Sequence, residues 1–303
     1  MIGGFEDVLK ERDLPYQRDL SAAGLSTFRI GGRVHFVIEP RCAGELINAV
    51  LICHHSEMPY AVIGKGSNIL FGDDEISVVL IRTGALDAIR ILENGRIFAL
   101  CGASLATIAA RAAWAGLGGF SFAAGIPGTL GGAVYMNAGA HGRAMGDVVE
   151  SVEVLYPDCG QIRTVFNKEL SYSYRNSIFQ SEDSVIIGAT LQLIPSCDLD
   201  MIKAEIRTLS QWRRVHQPLH LPSAGSVFQR PSPEISVAKI IDELGFKGTS
   251  VGGAQVSEKH AGFIVNKGGA TARDVRALIR DIQNTVERER GFRPIPEIRF
   301  IPD

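Results

Sequence analysis

Residues 125–140 read Gly-Ile-Pro-Gly-Thr-Leu-Gly-Gly-Ala-Val-Tyr-Met-Asn-Ala-Gly-Ala and are the most informative segment of the chain. The segment holds too many glycines for a core helix and too few polar side chains for a solvent-exposed loop. A backbone this bare lets a flat ligand or another backbone approach closely, and a tightly packed turn is the alternative. On the ligand interpretation, the contacting residues are Ile126, Pro127, Gly128, Thr129, Gly131, Gly132, Asn137 and Gly139.

A second glycine-rich turn, Gly64-Lys65-Gly66-Ser67-Asn68, follows an apolar strand pattern. Its glycines allow several backbone N–H groups to point into one concavity, which suits a phosphate. The order of glycine and lysine does not match a P-loop, and isoleucine replaces the third glycine of a dinucleotide fingerprint. A simple tight turn is the alternative. Two such loops together favour an extended dinucleotide, with its diphosphate on one loop and a planar ring along the other.

Hydrophobic periodicity predicts an α+β chain with two domains. A break near residues 194–198 separates a region of two α+β lobes, 1–197, from a second α+β domain, 198–303. The expected strands are 34–39, 60–64, 78–82, 96–101, 151–156, 185–193 and 296–301. The expected helices include 43–55, 105–115, 238–245 and 271–290.

Two helices in the second half carry boundary signals. Asp198 is a suitable N-cap for the first of them. The last helix begins at Thr271, three residues before Asp274, in a capping-box pattern, and Gly291 ends it. We interpret the apolar stripe of the first helix as a core face, and this stripe comprises Ile202, Ile206, Leu209 and Trp212.

Composition excludes several classes of protein. The net charge is −2, and no basic stripe suggests nucleic-acid binding. No apolar run reaches the ~20 residues that span a bilayer, and the acidic N-terminus lacks the apolar core of a signal peptide. The pair His54-His55 has no third ligand nearby in sequence, so no metal site is expected. Five scattered cysteines indicate buried free thiols in a reducing cytoplasm: Cys42, Cys53, Cys101, Cys159 and Cys197.

The glycine loops belong to an ordered set of motifs that resembles one family. The set covers almost the whole chain and resembles the UDP-N-acetylenolpyruvoylglucosamine reductases, in their shorter second type. Each loop alone is a weak signal, but the ordered set is specific. Its segments are 27–32 (TFRIGG), 64–70 (GKGSNIL), 125–140, 172–179 (YSYRNSIF), 222–228 (PSAGSVF), 252–266 and 296–298 (PEI).

The resemblance implies an FAD-binding fold of the vanillyl-alcohol-oxidase (PCMH) kind over about residues 20–195. It implies a separate α+β substrate domain whose last strand returns to the active site. FAD is expected to be non-covalent and NADPH to be the co-substrate. The implied substrate is UDP-N-acetylglucosamine enolpyruvate, reduced to UDP-N-acetylmuramate for peptidoglycan. We expect a cytoplasmic monomer that binds neither nucleic acid nor membranes.

The implied reaction needs a hydride from flavin N5, stabilisation of an enolate and a proton for the neighbouring carbon. By resemblance, Arg175 binds the substrate carboxylate and Ser226 donates the proton. Glu297, predicted to begin the last strand, works with Arg175 at the same carboxylate. Without the family, the alternatives are a surface salt bridge, a turn serine and an outward-facing strand residue.

A diphosphate substrate predicts cationic and polar groups in the second domain. His216 and Gln229 stand where lysines are expected in many relatives, which weakens a predicted phosphate or NADPH contact, and Arg230 is available to compensate. His260 contacts uridine or phosphate, or is a hydrogen-bonded core histidine. The predicted substrate-binding residues are Arg213, His216, Gln229, Lys247 and His260.

Two other functions stay open at this stage. An FAD oxidase of the same fold explains both glycine loops but not the segments of Arg175, Ser226 and Glu297 together. His141 is its nearest candidate for covalent flavin attachment. A non-catalytic nucleotide-binding module would keep the loops but has no need of Arg175, Ser226 and Glu297. Acid precipitation separates the first alternative from the reductase, because only a covalent flavin stays with the protein.

Overall fold

The computed structural model describes residues 2–195 and 198–302, and the chain folds as two compact units. The predicted boundary falls at residues 196 and 197, which lie outside the described residues. The first unit comprises Met1–Arg18, Phe36–Lys65 and Val78–Trp212. The second comprises Asp19–His35, Gly66–Ser77 and Arg213–Asp303.

This division differs from the predicted split into 1–197 and 198–303 in two respects. The second unit begins within a helix rather than before it, and it also takes two segments from the N-terminal part. Those segments supply Phe28, Ile30 and Leu70, which are buried in the core of the second unit. Local periodicity shows that such residues are buried but not in which core they are buried.

The described residues contain seven α-helices. They are α1 (Ile2–Glu11), α2 (Ala43–His55), α3 (Leu105–Trp114), α4 (Leu130–Tyr135), α5 (Leu199–His216), α6 (Val237–Glu243) and α7 (Ala272–Arg290).

Nineteen strands accompany them in the described part of the chain. They are β1 (Tyr16–Ser21), β2 (Arg33–Ile38), β3 (Tyr60–Ile63), β4 (Ile69–Phe71), β5 (Val79–Arg82), β6 (Ile89–Ile91), β7 (Arg96–Leu100), β8 (Leu117–Gly118), β9 (Gly139–Ala140), β10 (Arg143–Ala144), β11 (Val149–Tyr156), β12 (Gln161–Phe166), β13 (Val185–Gln192), β14 (Ile194–Pro195), β15 (Ser223–Ser226), β16 (Ser250–Val251), β17 (Ala254–Val256), β18 (Phe263–Asn266) and β19 (Arg299–Ile301).

Besides the two-stranded sheets β9–β10 and β8–β14, the first unit contains two larger sheets. One has the order β1-β2-β5-β3, in which β5 pairs in parallel with both β2 and β3. The other is antiparallel, with the order β12-β11-β13-β7-β6. One apolar cluster joins side chains from both sheets and from α2, α3 and α4, so the unit has a single core.

The second unit has its own core and its own sheet. The antiparallel order β15-β18-β17-β16 carries α7 on one side. A separate parallel pair joins β4 to β19, so the end of the chain lies beside the segment that follows the first glycine turn. Val275, Ile279 and Val286 of α7 are buried, as the predicted stripe requires.

The predicted N-cap of α5 and both predicted ends of α7 are confirmed, whereas the predicted core face of α5 is wrong. The Asp198 carboxylate accepts a hydrogen bond from the Met201 N–H, as an N-cap does. The stripe on α5 is buried only at Ile202, and Trp212 is 45% exposed, because just the N-terminal part of this face is covered. An amphipathic pattern therefore does not by itself show how far along a helix the core extends.

The N-terminus of α7 supplies a stability prediction. Thr271 Oγ1 accepts a hydrogen bond from the Asp274 N–H, and the Asp274 carboxylate accepts one from the Thr271 N–H. We expect Thr271→Ala to lower the free energy of unfolding by about 1 kcal/mol, because one of these bonds is lost. Urea unfolding measures the change, with the exposed Thr208→Ala on α5 as control. Equal stability of the two variants would contradict a capping role for Thr271.

Burial of the thiols follows the prediction only in part. Cys53 and Cys101 are buried and free, and burial raises the pKa of both thiols to about 12. Cys42 and Cys159 are free but exposed, because they lie in the turns before α2 and between β11 and β12. Cys197 lies outside the described residues. None of the described helices is long and apolar enough to cross a membrane.

Candidate active site

The two glycine-rich segments meet in the first unit. Gly64 follows β3, and Thr129 precedes α4. A Cβ on Gly64 would overlap Thr129 Oγ1 and lie 3.0 Å from Thr129 Cγ2, so only glycine permits this approach. The prediction that both segments serve one ligand therefore has a geometric basis within this unit.

The longer glycine-rich segment is not wholly irregular. Leu130–Tyr135 form the short helix α4, contrary to the expectation that glycine excludes a core helix. The segment is tied to the chain around α3, because the Leu130 and Gly131 N–H groups donate to the Ala103 and Cys101 carbonyls at 2.8 Å each. A Cβ on Gly131 would lie 2.9 Å from Cys101 Cβ, so this glycine allows close packing. Tertiary packing thus overrides the low helix propensity of glycine here.

The end of the same segment holds the predicted Arg175. The buried Asn137 donates from Nδ2 to the Ser173 carbonyl at 2.7 Å and accepts from the Gly146 N–H at 2.9 Å. The Arg175 guanidinium donates to the Gly139 carbonyl at 3.4 Å and lies over the Tyr174 ring. The structure therefore brings together three predicted residues from two motifs. The amide of Asn137 binds the protein backbone and shapes the loop that carries Arg175.

The first glycine turn continues into the second unit. The Gly66 carbonyl accepts a hydrogen bond from the Thr27 N–H, and a Cβ on Gly66 would lie 2.8 Å from Ser26 Cα. Thr27 Oγ1 in turn donates to the Ser223 carbonyl at 2.7 Å. Lys65 is exposed, and Ser67 is half-buried. Part of the predicted phosphate turn is thus fixed to β15, the strand that ends at Ser226.

Ser226 and Glu297 lie on adjacent segments of the second unit. The Glu297 N–H donates to the Val227 carbonyl at 2.7 Å, and Phe228 pairs with Pro296 as an isolated antiparallel bridge. Ser226 ends β15 rather than lying in a turn. The prediction that Glu297 begins the last strand is wrong, because β19 starts two residues later at Arg299. Glu297 instead belongs to a short segment paired with the chain after Ser226.

Several predicted substrate-binding residues cluster around His260. Burial lowers the pKa of His260 below its ordinary value of 6.5, and the positive charges of Lys247, Arg230 and His216 act in the same direction. Lys247 also forms an ion pair with Asp242, with an Nζ–Oδ2 distance of 2.6 Å. These side chains form a cationic region within the second unit.

The other two predicted substrate-binding residues, Arg213 and Gln229, form hydrogen bonds to uncharged protein groups. Arg213 Nε donates to Gln217 Oε1 at 2.8 Å, and burial lowers the pKa of its guanidinium. The Gln229 N–H donates to the Ile295 carbonyl at 2.9 Å, so its backbone helps to hold the segment of Glu297.

The depressed pKa of His260 predicts a pH dependence of stability. The unfolded chain protonates this histidine more readily than the folded protein does, so the free energy of unfolding falls as the pH drops below about 6.5 and levels below the folded-state pKa. His260 Nδ1 also accepts the Gly262 N–H at 3.1 Å, a bond that protonation of Nδ1 removes.

We therefore expect His260→Gln to reduce this acid-induced loss, because glutamine keeps an acceptor but does not titrate. Urea unfolding between pH 7.5 and 5 measures the effect, and the exposed His220→Gln in the same unit is the control. An unchanged pH dependence in His260→Gln would exclude this histidine as the source.

Comparison with known proteins identifies the family. An FAD binding domain matches residues 34–165, and the C-terminal domain of UDP-N-acetylenolpyruvoylglucosamine reductase matches residues 217–301. A protein named UDP-N-acetylenolpyruvoylglucosamine reductase from Caldanaerobacter subterraneus subsp. tengcongensis is 40% identical over 301 residues, which are 99% of this chain and 98% of that one. This chain belongs to the UDP-N-acetylenolpyruvoylglucosamine reductase family.

Two further relatives agree with this assignment. The reductase of the same name from Gloeobacter violaceus is 39% identical over 285 residues, 94% of this chain and 96% of that one. The crystal structure of the reductase from Thermus caldophilus has a TM-score of 0.81 at 31% identity and covers 95% of this chain and 100% of that one. The predicted family, the oxidoreductase class and an α+β fold with an FAD-binding domain are therefore confirmed.

The residues of the reductase's first unit fit an FAD. Gly132 is exposed, and an added Cβ there would meet only Thr129 Oγ1, at 3.7 Å, so its surface is open to a ligand. The Ser121 hydroxyl is buried and has no hydrogen-bond partner among the described residues. A flat ligand fits against the open backbone at Gly132.

Ser121 is a residue that sequence reasoning missed. It lies between Phe120 and Phe122 in a short 3₁₀ turn just before the glycine-rich segment. A single polar residue between two aromatic ones was the available signal. Its significance depends on burial, which the pattern alone does not reveal.

One group of possible metal ligands occurs among the described residues. His54 Nε2 lies 3.4 Å from Asp158 Oδ1, and Asp183 brings a third ligand atom to within 4.8 Å of both. Both carboxylates are exposed, so water competes with any ion for them. The prediction of no metal site was made from sequence neighbours only and stays a prediction.

Proposed function

We propose that this chain reduces UDP-N-acetylglucosamine enolpyruvate to UDP-N-acetylmuramate with electrons from NADPH, as a step of peptidoglycan precursor synthesis. The observation that carries the proposal is the joining of Ser226 and Glu297 within the domain that matches the reductase C-terminal domain. The paired glycine-rich segments in the region matched by an FAD binding domain support it.

The glycine-rich segments are the proposed cofactor site. Gly64, Lys65, Gly66 and Ser67 face the diphosphate of FAD, and the segment from Ile126 to Gly139 lines its ring system. The contacting residues of this segment are Ile126, Pro127, Gly128, Thr129, Gly131, Gly132, Asn137 and Gly139. FAD held non-covalently by these residues would supply hydride transfer from NADPH to the enolpyruvyl group.

Arg175 binds the substrate carboxylate in this proposal. A planar guanidinium offers two parallel N–H donors to a carboxylate, and its fixed charge stabilises the negative charge that develops on the enolate. The Gly139 carbonyl accepts a hydrogen bond from the guanidinium, which also lies over the Tyr174 ring, and these two contacts orient the side chain.

Ser226 donates the proton that completes the reduction. At the end of β15 its backbone pairs with Phe263 of β18, which favours a defined geometry for the hydroxyl. Glu297 works with Arg175 at the substrate carboxylate, and its backbone is held one residue from Ser226. A neighbouring cation offsets the repulsion between Glu297 and the substrate carboxylate.

The cationic region around His260 is the proposed site for the UDP group. Lys247 and His216 lie close enough to His260 to lower its pKa, and such a concentration of positive charge suits a diphosphate. Arg213 and Gln229 complete the proposed set of substrate contacts. We further propose that the enzyme acts as a monomer in the cytoplasm.

Anaerobic flavin spectroscopy tests the whole proposal. The purified protein is expected to show the absorption of oxidised flavin, to bleach on addition of NADPH and to recover on addition of the enolpyruvyl sugar. Recovery shows that this sugar accepts the electrons. A protein that takes up no FAD would refute the cofactor proposal, and bleaching without recovery would refute the substrate.

Acid precipitation adds a control for the oxidase alternative. Non-covalent FAD is expected in the supernatant. Flavin that stays with the precipitate would favour covalent attachment, for which His141, packed edge-to-face against Trp212, is the candidate.

A further inference from the structure

Both backbone groups of Glu297 are bonded to residues that the sequence motifs place far away. Its N–H donates to the Val227 carbonyl at 2.7 Å. Its carbonyl accepts a hydrogen bond from Asn68 Nδ2 at 3.1 Å. Glu297 is therefore held from one side by the neighbour of Ser226 and from the other by the last residue of the first glycine turn.

The hydrogen bond from the Asn68 side chain extends the pairing of β4 with β19 beyond the ends of the two strands. The parallel pairing of β4 with β19 begins at Ile69 and Arg299, and the Arg299 N–H donates to the Asn68 carbonyl at 2.8 Å. Glu297 lies before this ladder begins. The Asn68 amide bonds the carbonyl of Glu297, two residues before β19 begins, and so adds a contact beyond the end of the strand pair.

The segment around Glu297 is anchored on both sides, and Asn68 bonds the peptide between these anchors. Ile298 is buried in the core of the second unit, and Gln283 Nε2 donates to the Pro294 carbonyl at 2.9 Å, so the segment is anchored on both sides of Glu297. Between these anchors, the peptide that carries the Glu297 side chain is fixed by the Val227 carbonyl and the Asn68 amide. Loss of the Asn68 donor removes this bond to the Glu297 carbonyl and lets that peptide rotate more freely.

We infer that Asn68 is a positioning residue that sets the orientation of Glu297, rather than primarily a ligand of the cofactor. This inference rests on the proposed role of Glu297 in the reaction. It assigns to the last residue of the Gly-Lys-Gly-Ser-Asn turn a function different from that of the residues before it.

The test compares Asn68→Leu, which keeps the size of the side chain but removes the donor, with Glu297→Gln and the double variant. We expect Asn68→Leu to keep its FAD affinity and its rate of flavin reduction by NADPH within about 3-fold. Reoxidation by the enolpyruvyl sugar is expected to slow about 10–100-fold, because displacement of a reacting group by about 1 Å costs rates of this order. When Asn68→Leu is added to Glu297→Gln, it should slow reoxidation by less than about 3-fold further. Asn68 acts only by orienting Glu297, so its loss matters little once the Glu297 carboxylate is gone.

Hydrogen–deuterium exchange supplies a readout that does not depend on activity. The peptide that covers residues 295–299 should exchange faster in Asn68→Leu than in the wild-type protein. The exposed Asn48→Leu on α2 makes the same chemical change away from this segment, and as the matched control it should leave exchange and both half-reactions unchanged.

The failing outcomes are distinguishable. Normal reoxidation in Glu297→Gln would refute the proposed role of Glu297 and the inference with it. Slow reoxidation in Glu297→Gln with normal reoxidation in Asn68→Leu would refute the positioning role alone. Loss of FAD from Asn68→Leu would instead indicate that Asn68 is a cofactor ligand. The same conclusion would follow if Asn68→Leu slowed reoxidation equally in the wild-type and Glu297→Gln proteins.

Discussion

Ser226→Ala is expected to keep the yellow FAD-bound state and normal flavin reduction by NADPH, but to slow reoxidation by the enolpyruvyl sugar by about 10²–10⁴-fold. A positioned general acid contributes rate factors of this size, and alanine removes the only proton that residue 226 can donate. The hydride half-reaction with NADPH does not need this proton. The two half-reactions therefore separate the role of Ser226 from any effect on cofactor binding.

Anaerobic stopped-flow absorbance follows each half-reaction in turn. Ser223→Ala, at the other end of β15, is the matched control, because it makes the same chemical change on the same strand. Its backbone carbonyl, which accepts from Thr27, is unaffected by the substitution. Normal reoxidation of Ser226→Ala would exclude it as the proton donor, and equal slowing of both serine variants would point to a disturbed strand instead.

Gly64→Ala is expected to weaken FAD retention by about 10–100-fold, which corresponds to the 1–3 kcal/mol typical of an over-packed contact. The added methyl group would overlap Thr129 Oγ1, so the two glycine-rich segments must separate. Their separation disturbs the surface on which the proposed cofactor lies. Flavin fluorescence during titration of the apoprotein measures the affinity, and far-UV circular dichroism checks that the protein is folded.

Two further variants make this test specific. Gly84→Ala is the matched control in the same unit, because an added Cβ there meets nothing within 4 Å. Thr129→Ala in the Gly64→Ala background removes Oγ1 and Cγ2 and leaves only Cβ, at 3.1 Å, so part of the lost affinity should return. Unchanged FAD binding in Gly64→Ala, or an equal loss in Gly84→Ala, would contradict the proposed role of this contact.

Local patterns predicted most helices and strands because the forces that form them act between near neighbours. The predicted helix 43–55 coincides with α2, and the predicted caps at Asp198 and Thr271 make the expected hydrogen bonds. Apolar periodicity and capping need only a few residues to operate. The errors occurred where distant packing overrides the local preference, as in the short α4 and in the exposed Trp212.

The sequence by itself determined the α+β class and the two glycine-rich segments, since these depend on residue type and order. Through the ordered motifs that resemble the family it also gave the candidates Arg175, Ser226 and Glu297. Only the tertiary structure decided which candidates are neighbours. The meeting of Gly64 with Thr129, and the bonds of Glu297 to Val227 and Asn68, join segments far apart in the chain. Strand register and packing between such segments set these contacts, and local preferences carry no information about either.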